Sequence, residues 1–277
     1  MYVAQYVAGL ALRCVRTLLK NRVLVIQSGL ARGLKRRYGL GFRPRLGLIS
    51  RYSLTEEERF VAQLSLAGKV VYDVGAYVGI YTLFFARAVG QEGTVVSFEP
   101  DPDNYKELVY NVELNNFKNV FTLNLALGSH NHPANIFRDP LYPTRSSLCP
   151  SLEPSTYRKT KPLRVAPVKV VSIDTLIRGG QLPLPDLIKI DVEGYEKEVL
   201  LGSQATLHNY HPLILIELHG ISPEQISALL LSHGYNLYHI ESKRILGSSD
   251  ATRWQRGHHL FCWVPGLTRG IFDLMDS

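Results

Sequence analysis

A chain of 277 residues with 45% hydrophobic side chains and a mean hydropathy of −0.01 has enough apolar surface for a full core, and lies outside the disordered, fibrous and wholly membrane-embedded classes. Its three cysteines, Cys14, Cys149 and Cys262, are far apart with no C-x-x-C pair, which argues against a disulfide framework or zinc knuckle and fits a reducing, cytoplasmic setting. The net charge of +7 gathers at one end: residues 1–51 hold 11 of the 31 Lys and Arg and no acid, leaving 20 basic against 24 acidic side chains beyond.

That basic arm comes first. At about 100° per residue, Val3, Tyr6, Val7, Leu10, Cys14 and Leu18 share one helical face and Arg13, Arg16 and Lys20 the other, an amphipathic pattern. Two placements stay open: docking on the core with a solvated basic face, or lying on an anionic membrane at its inner face. Arg13, Arg16, Lys20 and Arg22 interrupt every window long enough to span a bilayer, and no basic region precedes the first apolar stretch as a signal peptide requires. A Gly-rich basic connector follows, and arm plus connector are assigned residues 1–54. Thr55 with Glu56, Glu57 and Glu58 reads as an N-cap and acidic first turn running toward Leu66, opening a main domain over residues 55–277.

Next come the strand KVVYDV, the helix YVGIYTLFFARAV, the strand GTVVSFE, the helix DNYKELVYNVELNN and the strand NVFTLNLAL. A hairpin is expected from ANIF to APVKVVSI. It is followed by the strand PDLIKIDV, the helix YEKEVLLG and the strand HPLILIEL. A helix capped by Ser222 with Pro223 in its first turn, and strands near YNLYHI and HHLFCWV, close the chain. Strands alternating with helices predict a Rossmann-like, doubly wound α/β fold: a mostly parallel seven-stranded sheet with helices on both faces, ligands at the carboxyl ends of the strands, and the helical arm in addition. Residues 138–169 stand apart, with six prolines and seven basic against two acidic residues, and read as a lid, a substrate loop or a surface excursion.

A glycine turn from a first strand into a helix brings backbone N–H groups and the positive end of the helix dipole up to an anion. Counted from Gly75, the dinucleotide pattern G-x-G-x-x-G fails at Tyr77 and Ile80. What stands there is D-x-G-x-x-x-G, with Asp73, Gly75 and Gly79, which resembles the first motif of class I S-adenosylmethionine-dependent methyltransferases. That cofactor's amino-acid end would place its ammonium at Asp73 and its carboxylate on the amides around Gly75, Ala76 and Tyr77. Glu99 ends the second strand, 24 residues after Gly75, where a carboxylate accepts hydrogen bonds from both ribose hydroxyls. Pro100, Asp101, Asn124, Ala126 and Leu127 are expected around the adenine, with Asn124 as a candidate partner for the exocyclic amine and Leu127 as an apolar cover.

The segments DVGAYVGIYT, FEPDPDNYKELVYNVELN, ALGS, IKIDVEGYEKEVLLG and ILIELH resemble the successive motifs of the FkbM-type methyltransferase family over about residues 68–220. The most specific is IDVEGYE, where Asp191, Glu193 and Gly194 match D-x-E-G-x-E. The resemblance implies the class I fold, S-adenosylmethionine as cofactor and methylation of a hydroxyl on a sugar, glycan, lipid-linked saccharide or secondary metabolite. It also points to Arg145, Ser146 and Ser147 as acceptor contacts. Tyr77 departs from the family, which commonly has Asn there.

A hydroxyl needs a base to attack a sulfonium methyl. Asp191 is the first candidate, with a helix cap as its alternative role, and Glu193 is a substrate ligand or a brace. Glu217 and His219, alternate residues of IELHG, share one face of a strand. With Asp191 they could form a base with its orienting acid or part of a divalent-metal site, though no further ligand is placed by the sequence and no metal is assigned. The pI of about 9.3 raises a nucleic-acid methyltransferase, but DVEG stands where base-methylating enzymes carry N/D-P-P-Y/F, so nucleic acid is not expected as a partner. A non-catalytic cofactor-binding scaffold and a nicotinamide-dependent oxidoreductase are the other readings. The oligomeric state is left open.

Overall fold

The computed structural model describes residues 22–38, 54–138, 147–148, 164–219, 223–247 and 257–267. The amphipathic arm up to residue 21, Arg145, Ser146 and Ser222 lie outside these residues.

Apolar residues on both faces of the central strands require cover on both sides of the sheet, and the core clusters divide accordingly. Strand β3 (Val70–Val74), β4 (Thr94–Phe98), β9 (Leu187–Ile190) and β10 (Leu213–Leu218) send Tyr72, Val74, Val96, Phe98, Ile188, Ile190, Ile214 and Ile216 to one face. There they meet Leu176 of α4 (Ile173–Arg178), Val199 and Leu200 of α5 (Glu196–Leu201), Leu207 of α6 (Gln204–Tyr210) and Ile226 and Leu230 of α7 (Pro223–Ser232). The alternate residues Val71, Val95, Leu187, Leu213 and Leu215 face Val61 of α1 (Glu56–Val61) and Phe85, Ala86 and Val89 of α2 (Ile80–Val89). Each such fully buried side chain contributes roughly 1.5–3 kcal/mol of transfer free energy.

The main sheet is not the expected seven strands. It has eight, in the order β12-β11-β13-β10-β9-β3-β4-β5, with β5 (Val120–Leu123), β11 (Asn236–His239), β12 (Arg244–Leu246) and β13 (His258–Trp263). The five strands from β10 to β5 are mutually parallel. Strand β13 inserts antiparallel between β10 and β11, and β12 extends β11 as a hairpin. The expected strand NVFTLNLAL breaks in two. Asn124 turns its side-chain amide onto the carbonyls of Glu99 and Pro100, at 2.8 and 2.9 Å, and the chain leaves for β6 (Ala126–Leu127). That short strand joins β7 (His132–Arg138) and β8 (Arg164–Val171), the expected hairpin, in a second sheet ordered β6-β8-β7.

Residues 22–38 were expected in an arm and connector. They form a hairpin of β1 (Val23–Val25) and β2 (Lys35–Arg37) packed on the domain. Asn111 of α3 (Pro102–Leu114) and its C-cap Asn115 accept from the amides of Arg37 and Lys35, both at 2.8 Å, and Arg37 forks onto Glu107. From α2, Arg87 donates to the carbonyls of Leu30 and Arg32. Helix α1 opens as expected, on a Thr55–Glu58 capping box. No helix among the described residues is long and apolar enough to cross a membrane.

Candidate active site

The sheet register aligns the strand ends. Phe98, Val74, Ile190 and Ile216 are lateral partners across β4, β3, β9 and β10. The next residue on each strand is therefore Glu99, Gly75, Asp191 and Glu217, and His259 of β13 stands beside Glu217. One row across the carboxyl edge carries these groups. Glu99, Gly75, Asp191 and Glu217 open into a cavity of about 300 Å³ lined also by Val74, Tyr77, Phe98, Pro100, Asn104, Leu125, Ala126, Leu127, Ile136, Leu148, Val192, Glu193, Tyr195 and His219; His259 does not line it.

Gly75 has φ +80°, and a Cβ there would lie 1.8 Å from the carbonyl oxygen of Asp191, so the first turn can pass the end of β9 only as glycine. Gly79, with φ 92°, caps α2, and a Cβ would meet Leu108 at 2.6 Å. The amides of Gly75 and Ala76 do not face the cavity's centre as expected. Both donate to the carbonyl of Phe98 at 3.0 Å. Tyr77 sits in the left-handed region, φ 52°, a conformation Asn adopts more readily than Tyr, and its amide donates to Glu99 at 2.8 Å.

Glu99 is 5% exposed and also accepts from the Asp101 amide and the Asn104 side chain. Burial pushes its carboxyl up to about 8, against the lowering effect of those donors. Ala126, Leu127, Phe98 and Ile136 supply apolar walls on this side. Asp101 is not at the cavity: it caps α3 through the amides of Asp103 and Asn104 and is held by Arg138. Asn124 does not line the cavity either, and its side-chain NH2 is engaged in the clamp described above.

Asp73 departs most from expectation. It shares the α2 face of β3 with Val71, is fully buried, and does not line the cavity. Its Oδ2 accepts from Thr82 at 2.6 Å and its Oδ1 faces the Lys189 ammonium at 3.4 Å. The ammonium it answers is thus the protein's own. Lys189, the lateral partner of Asp73, lies 3.3 Å from Asp191 Oδ2 and over the Tyr81 ring. Burial opposes its charge, but Asp191 and Asp73, with Glu57 and Glu217, outweigh that and raise its pKa.

At the other end four carboxylates converge on His219: Glu217 at 2.9 Å and Glu193 at 3.8 Å from Nε2, Glu196 at 3.1 Å and Asp191 at 3.9 Å from Nδ1. Burial disfavours the imidazolium, yet the Glu196 and Glu217 hydrogen bonds and the charges of Glu217 and Asp191 raise it to about 10. So placed, His219 favours its protonated form at neutral pH, and the carboxylates around it are the better candidate bases. Glu193 takes a left-handed φ of 50° before Gly194, φ 98°, whose amide donates to Glu196. Ser147, expected at the acceptor, donates to the Glu193 carbonyl at 2.7 Å and pins that turn beside the cavity.

Sequence reasoning missed Lys189, Glu196, Asn104 and Tyr195. A lone Lys inside LIKI, two residues before Asp191, was a readable signal, as was the last acid of D-x-E-G-x-E.

A glycine turn after the first strand, a buried acid ending the second and acids ending the fourth and fifth, all at one cavity, define a class I methyltransferase site. Glu99 among apolar walls suits a nucleoside diol and base, and the acids opposite suit a sulfonium. Residues 73–237, more than half of the chain, match the model of the Methyltransferase FkbM domain, and the chain belongs to that family, with S-adenosylmethionine as cofactor. Hexuronic acid methyltransferase AglP of Haloferax volcanii is 29% identical over 167 residues, 58% of this chain and 61% of that protein, so the chain spans less than two thirds of that relative. Methyltransferase sdnD of Sordaria araneosa is 28% identical over 192 residues, 60% of this chain and 73% of that one. The crystal structure of Methyltransferase FkbM from Methylobacillus flagellatus superposes at a TM-score of 0.42 with 17% identity, covering 70% of this chain and 43% of the other.

Proposed function

We propose that the protein O-methylates a hydroxyl of a sugar, glycan, lipid-linked saccharide or secondary metabolite. The carrying observation is the placement of Asp191 across Gly75 from Glu99 on one cavity wall: of the four acids around His219 its side chain is the most open, 30% against 26% for Glu217, 18% for Glu193 and none for Glu196. The printed name of the Haloferax relative, a hexuronic acid methyltransferase, supports a saccharide acceptor.

When bound, S-adenosylmethionine supplies a methyl carbon activated by sulfonium charge. Glu99 would receive the ribose hydroxyls, Leu127 and Phe98 would flank the base, and Asp191 would take the acceptor's proton as the acceptor oxygen accepts the methyl group and sulfur keeps the pair of the broken bond. Lys189 fixes the Asp191 carboxylate, and His219 holds Glu193 and Glu217 by charge. In a labelled-methyl assay over a saccharide panel, Asp191→Asn should keep cofactor affinity and lose about 10²–10⁴ in kcat. Unchanged turnover, or label recovered on nitrogen or carbon, refutes the assignment.

The basic arm is proposed to touch anionic membrane from the cytoplasmic side. Replacing Arg13, Arg16 and Lys20 with Gln should abolish co-sedimentation with anionic liposomes, and equal recovery of both proteins rejects the contact.

A further inference from the structure

We propose that Asp191, Glu217 and His219 bind one divalent first-row metal ion, matched best by Mn²⁺, which holds the acceptor oxygen. This rests on the hydroxyl-methylating reading above.

Four features carry it. One ligand atom from each of the three residues lies within 4.8 Å of the others. Ligands on a single ion at about 2.1–2.2 Å stand up to about 4.4 Å apart, so a few tenths of an ångström of contraction completes the set. Second, a metal-binding histidine ordinarily gives its other ring N–H to a carboxylate. Here that carboxylate is Glu196, fully buried, 3.1 Å from His219 Nδ1 and fixed by the Gly194 amide at 2.9 Å. Its Oε2 has no hydrogen-bond partner among the described residues, so its charge is answered chiefly through the imidazole. Nε2 is left pointing at Glu217 Oε1, 2.9 Å away.

Third, the charges do not balance. Four carboxylates, Asp191, Glu193, Glu196 and Glu217, face two imidazoles, His219 and, 3.5 Å from Glu217, His259, which is itself shared with Glu57 and Glu241, and Lys189 is shared between Asp191 and Asp73. A divalent ion offsets that surplus where a neutral hydroxyl must approach. Fourth, all three ligands line the cavity, and Asp191 and Glu217 are partly open to it, which leaves coordination positions for an outside oxygen. Two carboxylates with one imidazole favour a transition ion over Mg²⁺, and the oxygen majority favours Mn²⁺ among them. The second cluster of this kind, His239, Glu241 and His258, does not line the cavity, and its His239 ring is bonded to Ser242.

The ion takes the place of the Nε2 proton, which is released on binding. It withdraws charge from the acceptor oxygen, whose proton passes to the Asp191 oxygen the ion does not hold, while the oxygen pair attacks carbon and sulfur keeps the C–S pair.

The test is Mn²⁺ titration of the full-length protein followed by electron paramagnetic resonance, with the cofactor's demethylated product as a separate binding check on fold. One bound ion is expected, with Glu217→Gln and His219→Gln each weakening it at least about tenfold while nucleoside binding persists, and with Glu241→Gln unchanged. Absence of bound Mn²⁺ at millimolar concentration in protein that binds the nucleoside overturns the site, as does loss in Glu241→Gln alone. Full methyl transfer after chelation also overturns it and leaves the methyltransferase reading standing. An ion bound through these residues in a protein that labels no hydroxyl upholds the site and sinks that reading instead.

Discussion

Glu99 offers the sharpest quantitative test. In the free protein burial lifts its carboxyl from an ordinary 4.5 to about 8. A ribose diol donates to the ionised form, so below about pH 8 binding must expel a proton. Each pH unit downward then weakens binding tenfold, so a fall from about pH 8 to about pH 6 costs roughly 100-fold, or about 2.7 kcal/mol. Methylthioadenosine is the suitable ligand, because it keeps the diol and lacks the amino group that titrates nearby. Calorimetry in buffers of different ionisation enthalpy should report release of close to one proton at about pH 6.5 and none above about pH 9. Glu99→Gln should bind weakly at every pH with no proton release. The sign for stability follows: a raised carboxyl favours the fold fully below about pH 4.5, and that contribution is lost as pH rises through about 8. A flat affinity across the window, or an unchanged slope in Glu99→Gln, would refute the reasoning.

Lys189→Met should cost about 3–5 kcal/mol in equilibrium unfolding, because Asp73 Oδ1 loses the ammonium that answers it among the described residues, and Asp73→Asn added to it should recover part. Gly75→Ala should lose about 1–2 kcal/mol to its positive φ and a further 1–3 kcal/mol to overlap with the Asp191 carbonyl, and should lower the thermal midpoint and nucleoside affinity together. Thr55→Ala should cost about 1 kcal/mol through the lost capping box and leave cofactor binding untouched, measurable by urea denaturation and calorimetry.

Much of this site was legible because strand ends in a parallel sheet fall in one row. Gly75, Glu99, Asp191 and Glu217 each directly follow a short apolar run, and the register sets them side by side. Orientation was less legible. Asp73 sits within its strand's final residues, but period-two alternation gives it the same face as Val71, and its partner Lys189 lies on a distant segment. The backbone roles of Asn124 and Ser147 were not legible for a related reason: a short polar side chain near a ligand pocket satisfies backbone groups as readily as it meets a ligand, and their carbonyl partners come from turns that the sequence does not place. The eighth strand, β12, was missed because it is three residues long and largely exposed at the margin of the sheet, with little apolar signal.

The antiparallel placement of β13 between β10 and β11 bears on how the chain is made. Until residues 258–263 have emerged from the ribosome, β10 has an open flank of unpaired amides and carbonyls next to Glu217 and His219. That edge is therefore sealed only once β13 joins the sheet, and a chain halted before that point presents an unpaired strand border open to pairing with other chains.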